Sequence, residues 1–220
     1  MFVRQPQFRN ASADVQIFYG DKTPTTSRSN RIWNKPPGVS HVYMMLIGCG
    51  AAGDSITGGG SGAVTVWYGA AQNVPDSLRI AVGNEAARDT NVYTSWDTSN
   101  SVLLLQAKGA SSSTGATAMT ANTSAFLASG FYQSVGGQDG SAGTQSASST
   151  TFLSGGSASG TTSNYGYTNG ASNRQGFFML QPIIVGVGGA GNGRGDIGCG
   201  GGSDPSNPVG GQGMVLIASW

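Results

Sequence analysis

The segment Gly48-Cys49-Gly50-Ala51-Ala52-Gly53 follows an apolar run and has the G-x-G-x-x-G spacing of a dinucleotide-binding loop. That chemistry requires a helix after the third glycine, because the helix amides hold the pyrophosphate, and an acidic residue about 20 positions further on. The next residues, Asp54-Ser55-Ile56-Thr57-Gly58-Gly59-Gly60, cannot propagate a helix, and positions 68–73 contain no acid. No Gly-Lys-Ser/Thr phosphate loop is present either. We therefore expect no nucleotide cofactor.

Ser55 and His41 are the candidates for a nucleophile and its base. Gly53-Asp54-Ser55-Ile56 resembles the serine block of GDSL-type esterases, whose chemistry needs a histidine beside the serine. The only histidine, His41, precedes the serine, whereas the histidine of that family lies near its C-terminus. We interpret His41 as a strand residue at the edge of a turn and expect no enzymatic activity.

The metal-ligating residue types are too few and too scattered for a zinc site. One histidine, two distant cysteines and no carboxylate cluster are present, so we expect neither a metal nor another cofactor. Cys49 and Cys199 both lie in glycine-rich stretches. We expect free thiols, with a disulfide as the alternative.

Arg194-Gly195-Asp196 matches the integrin-recognition tripeptide. Glycine is so abundant in this chain that a chance match is expected. We interpret the tripeptide as a tight turn on a glycine loop.

Composition excludes several classes of protein. Glycine is 37 of 220 residues, against a usual share of about 7%. The net charge is +1 and no basic run occurs, which excludes the electrostatic footprint of a nucleic-acid-binding protein. No apolar stretch reaches the roughly 18 residues that span a bilayer. A helical bundle is also excluded, because glycine costs about 1 kcal/mol per helix position relative to alanine.

The periodic signals indicate β-strands. Residues alternate with period two at 63–68, 77–82 and 213–219, and apolar runs occupy 42–47, 101–107 and 178–186. Near-continuous runs such as 42–47 and 102–105 suit strands that are covered on both faces. Glycine and proline breakers separate the strands. The sequence therefore predicts an all-β fold, a sandwich or jelly-roll with glycine-rich loops.

Composition also divides the chain into zones. Residues 1–35 carry six of the eleven lysines and arginines and are predicted to form an N-terminal arm and a first strand, Val15-Gln16-Ile17-Phe18-Tyr19. Residues 36–220 are predicted to form the β domain. Within it, a Ser/Gly-rich excursion at about 109–175 contains spaced aromatic residues and, at best, one short helix between Ala116 and Leu127. We expect this excursion to be an ordered, partner-facing surface.

Several segments in a fixed order resemble a known family. Trp33-Asn34-Lys35-Pro36-Pro37-Gly38-Val39 leads into the apolar strand, and Val74-Pro75-Asp76-Ser77-Leu78 opens a later one. The chain ends Gly210-Gly211-Gln212-Gly213-Met214-Val215-Leu216-Ile217-Ala218-Ser219-Trp220. This order resembles the glycine-rich domain of bacteriophage virion proteins, both tail-fibre-like and capsid-decoration-like.

The resemblance implies a structural protein of the virion, a capsid decoration or a fibre or spike-tip component at the particle surface, with host-receptor binding as a further role. It implies other virion proteins as partners and a host surface glycan or receptor as the ligand. The two-sided apolar strands at 42–47 and 102–105 predict in addition a homo-oligomer, a trimer or capsid array. Because the N-terminal segment lacks the pattern of a secretory signal, we expect the protein to be made in the host cytoplasm and to reach the exterior in the virion.

Two groups of residues are the candidate contacts. Tyr132, Tyr165 and Tyr167 offer flat, half-polar faces for a receptor or a neighbouring subunit. Five of the six basic residues of the N-terminal zone form the candidate attachment arm: Arg4, Arg9, Lys22, Arg28 and Arg31. The alternative function is a free carbohydrate-binding module of the lectin-like adhesin type. For that function Trp33, Trp67, Trp96 and Trp220 could line a sugar-binding surface, but we expect core or interface positions for them.

Overall fold

The computed structural model describes residues 13–21, 28–84, 89–97, 99–119, 125–142, 153, 155–157, 189, 193–203 and 209–220. The described residues form nine β-strands, one short 3₁₀ turn at Ala71–Asn73 and a single helical turn, α1, at Ala125–Ala128. The all-β prediction is confirmed.

Two antiparallel sheets make up the domain. The five-stranded sheet has the order β1 (Asp14–Tyr19), β9 (Met214–Ser219), β3 (His41–Ile47), β4 (Val64–Ala70) and β8 (Gly130–Val135). The four-stranded sheet has the order β2 (Ser29–Asn34), β5 (Ser77–Val82), β6 (Thr90–Tyr93) and β7 (Leu103–Ala107). The first and last described strands, β1 and β9, pair along their whole lengths.

The main core lies between the two sheets, as expected for a sandwich. Alternate residues of β3, among them Met44 and Leu46, and Trp67 of β4 pack with Trp33, Ile80 and Leu105 of the other sheet. Period-two alternation places these side chains on one face of each strand. The predicted sandwich is confirmed.

The outer face of the five-stranded sheet is apolar as well. Tyr43 and Ile47 of β3, Val66 of β4 and Leu216 of β9 are buried there, and Leu153 and Cys199 pack against them. Burial raises the pKa of Tyr43 to about 12. The apolar run at 42–47 is thus buried on both faces of the sheet, as its sequence predicts.

Three strands were missing from the sequence prediction. The strands β2 and β6 contain several polar residues, and β8 lies in the Ser/Gly-rich excursion. Part of that excursion, predicted as a surface, is therefore a structural strand of the sheet, because β8 pairs with β4 over six positions. The strand predicted at 178–186 lies outside the described residues.

The two segments on which the family resemblance begins contact each other. Trp33 is fully buried, and the Lys35 ammonium donates to the carbonyl oxygens of Ala71 and Val74 at 3.2 and 2.8 Å. It also pairs with the Asp76 carboxylate at 2.8 Å. Lys35 therefore fastens the loop after β2 to the loop before β5.

The glycine-rich segments at one end of the sandwich form a backbone hydrogen-bonded body, here called the glycine lattice: residues 48–63, 109–116, 136–141, 155–157, 189, 193–203 and 209–213. Its central segment is 58–63, whose N–H groups donate with a three-residue period. Gly59 and Gly62 donate to Gly201 and Gly198, and Gly58 and Ser61 donate to Ser141 and Gln138. Gly60 and Ala63 donate to Ser112 and Lys108.

A period of three differs from the period of two that defines a β-strand. A chain of the polyproline-II type has three residues per turn and makes no internal hydrogen bonds, so its N–H groups are free to bond neighbours in three directions. Segment 58–63 follows this pattern, with bonds of 2.8–3.0 Å to three neighbouring segments. Glycine is required where these backbones touch: a Cβ on Gly59 would overlap the Ala51 carbonyl group.

No helix in the described part of the chain combines the length and the apolar character needed to cross a membrane.

Candidate functional site

An open cleft of about 640 Å³ lies where the end of β1 meets the glycine lattice. This volume is in the range of ligand pockets, about 300–1,000 Å³. Its side chains are one aromatic ring, one isoleucine, charged groups of both signs and a primary amide, on a floor of glycine backbone. The lining residues are Tyr19, Gly20, Asp21, Arg194, Gly195, Asp196, Ile197, Gly211 and Gln212.

The Arg194-Gly195-Asp196 tripeptide forms one wall of the cleft. Gly195 is buried and donates to the Val209 carbonyl at 3.1 Å. A turn follows, in which Cys199 N–H donates to the Asp196 carbonyl at 2.8 Å and Gly198 has φ +71°. The turn therefore spans 196–199, and the tripeptide, which was predicted to form a tight turn, contributes only Asp196 to it. Because Gly195 is held in the lattice, only the side chains of Arg194 and Asp196 are exposed.

The end of β1 forms the other wall. Tyr19 lies opposite Met214 on the outer face of the sheet and is 46% exposed. Asp21 follows it, and the Ser29 hydroxyl both accepts from the Asp21 N–H at 2.9 Å and donates to its carboxylate at 2.6 Å. Arg31 approaches the same carboxylate at 3.9 Å. These contacts fix the direction of Asp21.

The cleft can present hydrogen-bond groups of both kinds beside an aromatic face. Asp21 and Asp196 accept, Arg194 donates, and the Gln212 amide does both. Within the described part of the chain, no group of three or more histidine, cysteine or acidic residues is arranged to hold a metal ion. The cleft thus suits an organic ligand with several polar groups.

Sequence reasoning singled out the tripeptide but missed Tyr19, Asp21 and Gln212 as its neighbours. No local signal joins them, since residues 19–21 and 194–196 are far apart in the chain. What brings them together is the pairing of β1 with β9 and the bond from Gly198 N–H to the Gln212 carbonyl.

The structure separates Ser55 from His41. His41 begins β3, and Ser55 lies in the loop beyond the other end of that strand. Seven residues of extended chain span about 20 Å, too far for a nucleophile and its base. Asp54 instead accepts from the Ile56 and Thr57 N–H groups at 2.8 and 2.6 Å, which lowers the pKa of its carboxyl group.

The G-x-G-x-x-G segment is part of the glycine lattice and opens no helix. Gly48 and Gly50 donate to the carbonyl oxygens of Ala63 and Gly211, both at 2.9 Å. A Cβ on Gly53 would overlap the Gly202 carbonyl. The N–H groups of Gly48 and Gly50 are therefore used within the protein, where a dinucleotide loop would offer them to phosphate.

Tyr132 lies on the core-facing side of β8, opposite Trp67. Its hydroxyl donates to the Met119 carbonyl at 2.9 Å, and partial burial raises its pKa. This position favours a packing role for Tyr132 over a receptor contact. Tyr165 and Tyr167 lie outside the described residues.

The described part of the candidate attachment arm is folded onto the sandwich. Arg28 donates to the Asp89 carbonyl at 2.7 Å and lies 3.8 Å from the Asp89 carboxylate. Arg31 belongs to β2 and contacts Asp21. Arg4, Arg9 and Lys22 lie outside the described residues. Arg28 and Arg31 thus contribute to the domain itself.

The tryptophans divide between core and surface. Trp33 and Trp67 are fully buried, whereas Trp96 is 54% exposed. Trp220 forms near-parallel ring contacts with His41 and Tyr68, with centroids 6.1 and 5.9 Å apart. His41 is the first residue of β3, as predicted for a strand residue at a turn edge.

Both cysteines are buried, and they form no disulfide. The Cys49 thiol donates to the carbonyl oxygen of Gly211, a residue of the cleft, at 2.9 Å. Cys199 packs against the outer face of the five-stranded sheet. The two thiols therefore serve as small buried groups where the lattice joins the sandwich.

Comparison with protein-family models and with curated proteins found no match. The assignment of a function therefore rests on the cleft, the lattice and the sequence motifs.

Proposed function

We propose that this chain is a non-enzymatic structural protein of a virus particle, specifically of a bacteriophage. At the particle surface it forms a decoration, a fibre or a spike-tip component. The observation that carries this proposal is the glycine lattice. The order of motifs that resembles the glycine-rich domain of virion proteins supports it.

A lattice of this kind suits an exposed position outside a cell. Most of its hydrogen bonds join backbone groups and run in three directions, with a few from side chains such as Ser61 and Asp139. A protease binds its substrate as an extended segment, and the lattice segments are packed too closely to separate into that form. The lattice also contains few charged residues. Its exposed residues, such as those at 54–56, can therefore differ in sequence while the frame that presents them stays rigid.

The proposed partners are other virion proteins and further copies of the chain, as a trimer or capsid array. Exposed apolar side chains on the surface support this part of the proposal. Trp96 and Val102, which are 54% and 60% exposed, lie in one hairpin, where Thr94 and Val102 exchange hydrogen bonds of 3.0 Å. Such pairs of large apolar groups are typical of contacts between subunits.

The test is the copy number of the chain in purified particles, measured by quantitative mass spectrometry. The proposal predicts a fixed copy number per particle that survives density-gradient purification. Absence of the chain from purified particles would contradict it.

A free carbohydrate-binding module is the second candidate, and the cleft beside Tyr19 favours it. A chain that binds sugars but is absent from particles would have this function instead.

A further inference from the structure

We propose that the cleft formed by Tyr19, Asp21, Arg194, Asp196 and Gln212 is a binding site for an uncharged saccharide. The inference deepens the proposed function. It rests on that function for one point, the source of the ligand, which is a glycan of the host surface. The binding chemistry itself is argued from the cleft alone.

Tyr19 supplies the flat apolar contact that a pyranose ring requires. Its side chain is 46% exposed, although it lies in a strand whose backbone is fully paired with β9. The ring is therefore accessible to a ligand, and the backbone that carries it is held in place. Aromatic faces of this kind pack against the C–H face of a sugar, and the tyrosine hydroxyl offers a polar edge beside it.

The polar side chains match the hydroxyl groups of a sugar. Each sugar hydroxyl both donates and accepts, so neighbouring hydroxyls are best met by a carboxylate beside an amide or a guanidinium. Asp196 and Arg194 flank the buried Gly195, and Gln212 adjoins the glycine floor at Gly211. Hydrogen bonds to ionised partners are the stronger kind.

The backbone beneath these side chains is fixed before any ligand arrives. Gly195 donates to Val209, Gly198 to Gln212 and Gly211 to Cys199, at 2.8–3.1 Å. On the opposite wall, Ser29 holds Asp21. A site whose groups are already positioned loses less entropy on binding, which is important for a small polar ligand.

The charges of the cleft favour an uncharged ligand. Two carboxylates and one guanidinium line it, and Arg31 balances Asp21 from outside. A phosphate or an acidic sugar would approach Arg194 only by coming close to Asp196.

The test is a titration of the full chain with methyl α-glucoside, methyl α-mannoside, methyl β-galactoside and lactose, and with N-acetylneuraminic acid as the acidic comparison. Binding is followed by the ¹H–¹⁵N resonances of Gly195, Ile197 and Gly211, which line the cleft. At least one neutral probe should shift these resonances in a saturable manner.

Two variants assign the binding to the cleft. Tyr19→Ala should weaken binding about tenfold, the effect of losing a ring contact, and Asp196→Asn should weaken it by a similar factor. Phe131→Ala is the matched control. Phe131 is 55% exposed on the same outer face, but it belongs to β8 at the opposite edge of the sheet. Its replacement should leave the affinity unchanged.

Three results would overturn the proposal: no saturable shift with any neutral probe, equal binding by Tyr19→Ala and the wild type, or tighter binding of N-acetylneuraminic acid than of every neutral probe. Thermal unfolding of each variant shows that its fold is intact. Particle copy number is measured separately, so failure of the cleft and failure of the virion proposal can be distinguished.

Discussion

At the scale of single residues, glycine acts here mainly through the absence of a side chain. At Gly59 a Cβ would meet the carbonyl groups of Ala51 and Ala52, and at Gly200 it would meet the carbonyl of Gly59. Backbone atoms of three neighbouring segments cannot all move aside. The close approach of chains, more than unusual backbone angles, is therefore what these positions require.

Gly59→Ala should destabilise the protein by about 3 kcal/mol, the upper part of the range for groups forced into packed sites. Gly136→Ala is the control within the same lattice, because its nearest neighbour, the Ala116 carbonyl oxygen, would lie 3.0 Å away and can shift slightly. We expect a loss below about 1 kcal/mol there. Urea unfolding of both variants provides the comparison, and equal stabilities would contradict the lattice packing.

Because of Tyr43, the free energy of unfolding should fall as the pH becomes alkaline. Burial raises its pKa from 10.0 to about 12, so the folded state holds the phenolic proton more tightly than the unfolded state. The resulting stabilisation is fully present below pH 10 and is lost as the pH rises through 12. The difference corresponds to about 2–3 kcal/mol. Denaturant unfolding between pH 8 and 11 should show a steeper loss for the wild type than for Tyr43→Phe; parallel curves would disprove the effect.

At the scale of elements, the sequence predicted the strands that have a clear apolar period. The strands β3, β4, β5 and β9 were all found within two residues of their predicted bounds. The strand β2 was missed because Asn30, Arg31 and Asn34 interrupt its pattern, and β8 because it begins at Gly130 in a Ser/Gly-rich region. Their pairing with β5 and β4 outweighs weak local propensity.

The N-terminal zone contains strand β1, which should contribute to the thermal stability of the domain. Residues 14–19 form β1, whose Phe18 packs against the main core, so this part of the zone belongs to the sheet. Removal of residues 1–20 should lower the melting temperature by about 5–10 °C, as expected for a loss of about 2–3 kcal/mol. A melting temperature of the shortened protein equal to that of the full chain would show that β1 adds little.

At the scale of the whole molecule, two kinds of backbone organisation meet. The sandwich is held by apolar side chains, and the lattice by hydrogen bonds with a three-residue period. The cleft lies at their junction. The sequence could not predict it, because its position depends on which lattice segments are neighbours, and glycine residues carry no side-chain pattern that specifies a partner.

Self-association should depend on the hairpin that carries Trp96 and Val102. Replacing both by serine removes two exposed apolar groups without touching the core. We expect a smaller species by light scattering after size exclusion, with a melting temperature close to that of the wild type. An unchanged assembly would place the contact between copies elsewhere.

The central claim is that the glycine-rich segments form a rigid, hydrogen-bonded body, and amide hydrogen exchange measured by mass spectrometry tests it most directly. Segment 58–63 donates N–H bonds to three neighbours, so its amides should exchange as slowly as those of the buried strand β3, which requires sub-global opening. Exchange of peptides covering 58–63 at the rate of an unstructured chain, while β3 remains protected, would contradict the account.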